Sequence, residues 1–143
     1  MLSNSSKYAV KAVLYLALNS NEKKRIMVKD LATPINVPQA YLAKLLQELA
    51  RANIISSIKG PKGGFYLDKQ DRLNSLMDVI NIIDGKNKLH SCVLSLEECN
   101  AEKPCPLHDL VNPAKTIFVR NLQDKSIGDF SLEIESGTSF LPL

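Results

Sequence analysis

The chain lacks any long apolar run. Nothing in its 143 residues approaches the roughly 20 consecutive apolar residues that a membrane-spanning helix needs, so no membrane partner is expected. A secretory leader is lacking too. Lys7 and Lys11 break the first apolar stretch, and no small-residue cleavage site follows it. The expected compartment is therefore the cytoplasm. Cysteine is scarce and odd in number, three in all, which in a cytoplasmic chain argues against a framework of structural disulfides. No acidic residue occurs before Glu22, so the first helix has no carboxylate of its own.

The apolar fraction is that of an ordinary globular protein, and the length suits one compact domain or a small domain with an appendage. A net charge of +3 is modest, but it is unevenly spread. Residues 1–72 hold 12 of the 18 Lys and Arg and only 5 of the 15 Asp and Glu. The front half is therefore basic and the back half acidic, which points to a polyanionic partner for the front half.

Residues 38–67 organise the basic half. Leu42, Leu45, Leu46 and Leu49 recur at i, i+3, i+4 and i+7, which predicts a helix with one apolar stripe. Pro38 suits its first position. Gln39, Ala43, Lys44, Gln47 and Arg51 form the other face. After Asn53, the β-branched Ile54, Ile55 and Ile58 predict a strand. Lys59-Gly60-Pro61-Lys62-Gly63-Gly64 cannot continue a helix and predicts a turn, and Phe65, Tyr66 and Leu67 predict a returning strand. A helix with a basic face beside a lysine-tipped hairpin matches the needs of DNA reading: the helix enters the major groove while the hairpin touches backbone or minor groove. On this view Gln39, Ala40 and Lys44 face base edges, and Lys59 and Lys62 meet phosphate or minor groove. The plainer alternative is an amphipathic helix packed on an ordinary hairpin.

Upstream, residues 5–18 predict a helix capped by Ser5 or Ser6 and apolar nearly all round, hence buried by several neighbours. Val28 to Thr33 predicts a short second helix stopped by Pro34, and Asn36 suits a turn that needs positive φ. The order is that of a winged helix-turn-helix. Downstream, Ser75 and Asp78 form a capping box for a helix ending at Gly85. A last helix is expected from Pro113, capped by Asn112, to about Asp124. Its apolar stripe of Ala114, Ile117, Phe118 and Leu122 would be buried in a symmetric dimer, or else against the first helix. The tail from Gly128 is expected to be irregular. The expected fold class is mainly α: a winged helix-turn-helix with a two-stranded wing plus a long C-terminal dimerisation helix. The expected divisions are 1–85 for DNA binding, 86–108 for the cysteine loop, and 109–143 for the dimerisation helix and tail.

Cys92, Cys99 and Cys105 lie in one loop, with His108 three residues after the last. Three thiols and an imidazole could supply four ligands. Structural zinc sites favour close C-x-x-C pairs, whereas these open gaps let a loop wrap a larger iron–sulfur cluster, in which imidazole can replace a thiolate at one iron. A zinc site, a thiol redox switch and three unrelated buried thiols remain alternatives. His90 is expected to be a surface residue. A thiol enzyme using Cys105 with His108 as its base has little support, and no enzymatic activity is expected.

The sequence resembles the Rrf-two family of bacterial winged-helix regulators, the group containing IscR, NsrR and CymR. The matching residues are Ser6-Lys7-Tyr8-Ala9-Val10, Tyr41-Leu42, the wing Gly60-Pro61-Lys62-Gly63-Gly64-Phe65, the three-cysteine loop with His108, and Ile127-Gly128. The resemblance implies a homodimer on a palindromic operator in double-stranded DNA, with Tyr41, Gly60 and Gly63 among the DNA-binding positions. It also implies an iron–sulfur cluster as sensor, held by Cys92, Cys99, Cys105 and His108. By the same resemblance, the nitric-oxide sensor branch recruits an acid from the first helix, and the lack of one here favours [2Fe-2S] over [4Fe-4S]. A cluster-free regulator that responds through its thiols, zinc, a small molecule or a protein partner is the alternative. The chain departs from IscR in its six-residue first cysteine gap, in Pro113, and in Ala43-Lys44.

Overall fold

In a computed structural model describing residues 2–95 and 97–143, the leucine stripe at 42–49 is the floor of the core. Leu42, Leu46 and Leu49 are fully buried and Leu45 nearly so. The elements are α1 (Asn4–Asn19), α2 (Val28–Ile35), α3 (Gln39–Arg51), β1 (Ser56–Ile58), β2 (Gly64–Tyr66), α4 (Leu76–Asp84), α5 (His108–Asp124) and α6 (Ile127–Glu135). A single 3-10 turn, Asp71–Leu73, precedes α4. α1 runs through the middle, against α2, α3, α4 and α6, as its nearly all-round apolar surface requires.

α1 begins earlier than its sequence suggests. Ser3, not Ser5 or Ser6, is the N-cap, its hydroxyl oxygen accepting the Ser6 amide at 3.0 Å. Ser6 is instead fully buried, with its hydroxyl turned toward α4. Pro34 does not stop α2 but sits in its last turn, where the helix ends one residue later and little of the ladder is lost. Asn36 then takes the left-handed conformation expected of it, φ 58°. Pro38 is the N-cap of α3, one position before the expected one. Asn53, at φ 59°, turns the chain out of α3. Ile54 and Ile55 are buried ahead of β1 rather than within it.

β1 and β2 pair antiparallel, with Ser57 opposite Phe65 and Ile58 opposite Gly64. Ile26 and Phe65 exchange both backbone bonds, at 2.9 and 2.8 Å, and so dock the wing on the segment before α2. α4 carries the expected capping box between Ser75 and Asp78 and ends at Gly85, φ 89°.

The C-terminal part corrects three expectations. α5 starts at His108, five residues before Pro113, so Asn112 lies inside it and is not its cap. Pro113 forfeits its own amide bond, while two upstream amides are served: His108 donates to the Cys105 carbonyl and Val111 to that of Leu107, both at 3.0 Å. The apolar stripe is also divided. Phe118 and Leu122 turn inward beside buried Val119, against Met77, Ile80, Leu89, Leu2 and Val10. Ala114 and Ile117 turn outward, Ile117 at 60% exposure. The chain thus supplies a partner for half of the stripe. Finally, the tail is not irregular. Ser126 and Asp129 form a second capping box, opening α6. Ile127, fully buried, enters the main core, and its amide donates to the Asn74 carbonyl at 2.8 Å. Ile127→Ala is expected to cost about 3 kcal/mol of stability, read as a lower urea midpoint at unchanged slope.

Candidate nucleic-acid interface and cysteine loop

Two structures project from the basic half. At the start of α3, Gln39, Ala40 and Lys44 are exposed, as a helix must present them because Leu42, Leu45 and Leu46 hold the opposite side in the core. Tyr41 is only partly free. Its hydroxyl hydrogen-bonds the Ser5 hydroxyl, and its ring stands edge-on to Tyr8, with centroids 6.1 Å apart. It joins α3 to α1 as much as it faces outward. Lys29, Thr33 and Asn36 border the same surface across the turn, an extension that the sequence signals only through α2's amphipathic pattern.

Wing residues 59–62 are exposed, placing Lys59, Gly60 and Lys62 at the tip. Gly63 is not at the tip but buried. A Cβ there would lie 2.0 Å from the Ile58 carbonyl oxygen, so only glycine lets the hairpin close here. Gly64, at φ 147°, packs against the backbone of Ile26 in the same way. Arg25, at the end of the basic run Lys23-Lys24-Arg25, braces the wing. It donates to the Lys62 carbonyl at 3.3 Å, and its guanidinium lies 6.0 Å from the Tyr66 ring centroid. A groove of about 550 Å³ separates wing from α3, bordered by Gln47, Arg51, Ser57 and Lys59.

The cysteine loop hangs between α4 and α5, anchored by buried Leu89. Cys92, Cys99 and Cys105 are free thiols, each partly buried. The Leu94 amide and then the Cys105 thiol stabilise the Cys92 thiolate, lowering it to about 7. Cys99 lies against the Lys115 ammonium at 3.4 Å, and Lys115 also bonds the Ser91 carbonyl at 2.8 Å. His108 is the first residue of α5, partly buried, and His90 is exposed, as expected. Among the described residues, no three His, Cys, Asp or Glu side chains are gathered closely enough to hold a metal ion. The donor set suits iron and sulfide in its chemistry: three thiols, with an imidazole three residues beyond the last.

The profile of the Rrf2 family, described as an iron-dependent transcriptional regulator, matches residues 2–132. The chain belongs to the Rrf2 family. Among Rrf2 relatives, the regulator NsrR of Halalkalibacterium halodurans is 28% identical over 129 residues, covering 90% of this chain and 88% of its own. The regulator IscR of Vibrio cholerae is 25% identical over 134 residues, covering 94% and 76%. CymR, the global cysteine regulator of B. subtilis, superposes with a TM-score of 0.71 at 22% identity, covering 92% of this chain and 95% of that one. IscR of T. potens gives 0.72 at 19% identity, covering 97% and 91%. The fold is thus that of the winged-helix Rrf2 regulators. The relatives are transcriptional regulators, and this Rrf2 chain is a DNA-binding regulator rather than an enzyme. Among the described residues, no helix is long and apolar enough to cross a membrane.

Proposed function

We propose that this protein is a cytoplasmic repressor that binds a palindromic operator as a homodimer, under the control of an iron–sulfur cluster, [2Fe-2S], on the loop of residues 86–108. The observation that carries this proposal is the joining, in one Rrf2 chain, of an exposed basic reading surface and a loop of three thiols followed by an imidazole. Residues 1–85 read DNA, with Gln39, Ala40, Tyr41 and Lys44 toward base edges and Lys59, Gly60 and Lys62 toward phosphate or minor groove. Gly63 shapes that tip from behind.

Cys92, Cys99, Cys105 and His108 would hold the cluster. When bound, it supplies one-electron redox chemistry and a target for nitric oxide, so cluster supply, redox state or nitric oxide is the class of signal. α1 brings no carboxylate to compete as fourth ligand, since none occurs before Glu22. Residues 109–143 join the copies through the outward edge of α5. Leu110 and Ile117, 76% and 60% exposed, lie beside exposed Ala114 on that edge, and Phe118 and Leu122 support it from the inner side. A two-fold pair of reading heads is what a palindromic target requires.

The test is selection of a duplex from a randomised pool by anaerobically purified protein, with iron, acid-labile sulfide and zinc measured on the same preparation. Lys59→Ala with Lys62→Ala is expected to lower the salt dependence of binding by about 2 in the log–log slope. An unchanged slope would take the wing off the DNA. One observation favours a second reading. The Leu94 amide and the Cys105 thiol hold the Cys92 thiol below its usual range, at about 7, which suits a cluster-free thiol switch. Zinc or reversible disulfide in place of iron and sulfide would select it, and retained regulation with neither would point to a small molecule or protein partner.

A further inference from the structure

We infer that Asp84 is a positioning residue that ties the cysteine loop to the reading helix through the first turn of α1. This rests on the proposal that residues 86–108 are the regulatory loop.

Asp84 is the last residue of α4, and Gly85 next to it opens the loop. A carboxylate at a helix C-terminus faces the negative end of that helix's dipole, where it is disfavoured. Its placement is accounted for from the other side. Ser3 donates its hydroxyl to one oxygen of Asp84 at 2.5 Å, and fully buried Ser6 donates to the other at 2.7 Å. Ser3 is the N-cap of α1, which has no acid in its own first turn. Asp84 is therefore the acid that α1 lacks, delivered from α4 to α1's positive end.

The same turn of α1 grips the reading helix. Ser5 bonds the Tyr41 hydroxyl, and Tyr8 abuts the Tyr41 ring. Tyr41 sits one residue after Ala40 and three before Lys44, in the first turn of α3. A parallel apolar tie runs beside the polar one, because Leu89 of the loop and Leu2 and Val10 of the α1 region share one cluster. A displacement at the root of the loop must therefore be shared by the α1 turn that seats Tyr41. Such coupling is reciprocal by thermodynamic necessity: if loop order alters DNA affinity, DNA must alter the loop.

That reciprocity permits a test needing no cluster. Alkylation rates of Cys92, Cys99 and Cys105 are measured by mass spectrometry on cluster-free protein, with and without the selected duplex, after a gel shift establishes saturation. In the unsubstituted protein the duplex is expected to change the rate at one or more of these cysteines by roughly fivefold or more. In Asp84→Ala, and separately in Ser6→Ala, the change that DNA makes to the rates should shrink at least about twofold although the duplex is still bound, the remainder passing through the apolar tie. A bound protein whose rates ignore DNA overturns the proposal. So does a change that survives undiminished in both variants, which would mean that the Asp84 tie carries none of it. Failure of both the cluster-free and the cluster-loaded unsubstituted protein to bind any selected duplex is seen first, in the gel shift, and overturns the DNA-reading proposal together with this one; where only the loaded form binds, the rate of iron release to a chelator, with and without duplex, replaces alkylation as the readout in all three proteins.

Discussion

Protein purified without oxygen after replacement of Cys92, Cys99 and Cys105 together by alanine is expected to be colourless and free of iron and acid-labile sulfide, while unsubstituted protein prepared in parallel absorbs in the visible. The effect should be all-or-none, because thiolates are the principal anchors of such clusters and a lone imidazole cannot hold one. The fold should survive. All three side chains lie in the loop and none belongs to either apolar cluster, so far-ultraviolet circular dichroism and the thermal midpoint of the cluster-free forms should agree. Colour and iron persisting in the triple variant would place the ligands elsewhere. His108→Ala separates the fourth position: a shifted spectrum with retained iron marks it as a ligand, and an unchanged spectrum removes it from the set.

Gly63→Ala should be nearly as severe for DNA binding, by a different route. The added methyl would meet the Ile58 carbonyl oxygen at 2.0 Å and the carbonyl carbons of Ile58 and Lys59 at 2.9 Å. These are backbone atoms and cannot swing aside, so the hairpin must open and its register across Ile58 and Gly64 must fail. Operator affinity should fall tenfold or more, about 1.4 kcal/mol or greater, with a flattened salt dependence as Lys59 and Lys62 lose their places. Gly60→Ala is the control. Its φ of 107° makes alanine strained, but nothing lies within 4 Å of the new methyl, so its loss should be the smaller one. Equal effects from the two substitutions would mean that tip flexibility, not hairpin closure, is what binding requires.

Much of the reading head was legible in residue order because its determinants are local. The leucine spacing of α3, the Ser75–Asp78 box, Asn36 and the glycine-rich wing each act within a few residues. The start of α5 is not legible because Pro113 reads as a boundary, although the His108 and Val111 amides find acceptors at Cys105 and Leu107. α6 is legible only when the tail from Gly128 is joined to the residues just before it. Ser126 and Asp129 repeat the signal at Ser75 and Asp78, and Ile127, Phe130 and Ile134 carry a helical period. The orientation of α5 could not be read locally, since it depends on which edge meets Leu89, Leu2 and Val10. The same holds for Gly63, whose burial follows from strand pairing, and for the approach of Lys115 to Cys99.

The two capping boxes lie side by side, with Ser75 and Ser126 forming a backbone bridge and the Ile127 amide on the Asn74 carbonyl. The far end of the polypeptide is thereby stitched to the floor beneath the recognition unit. A fragment ending at Asp124 would leave an unfilled socket in the main core and an orphaned acceptor at Asn74. The DNA-reading portion is accordingly not autonomous: head and tail should melt in one cooperative transition.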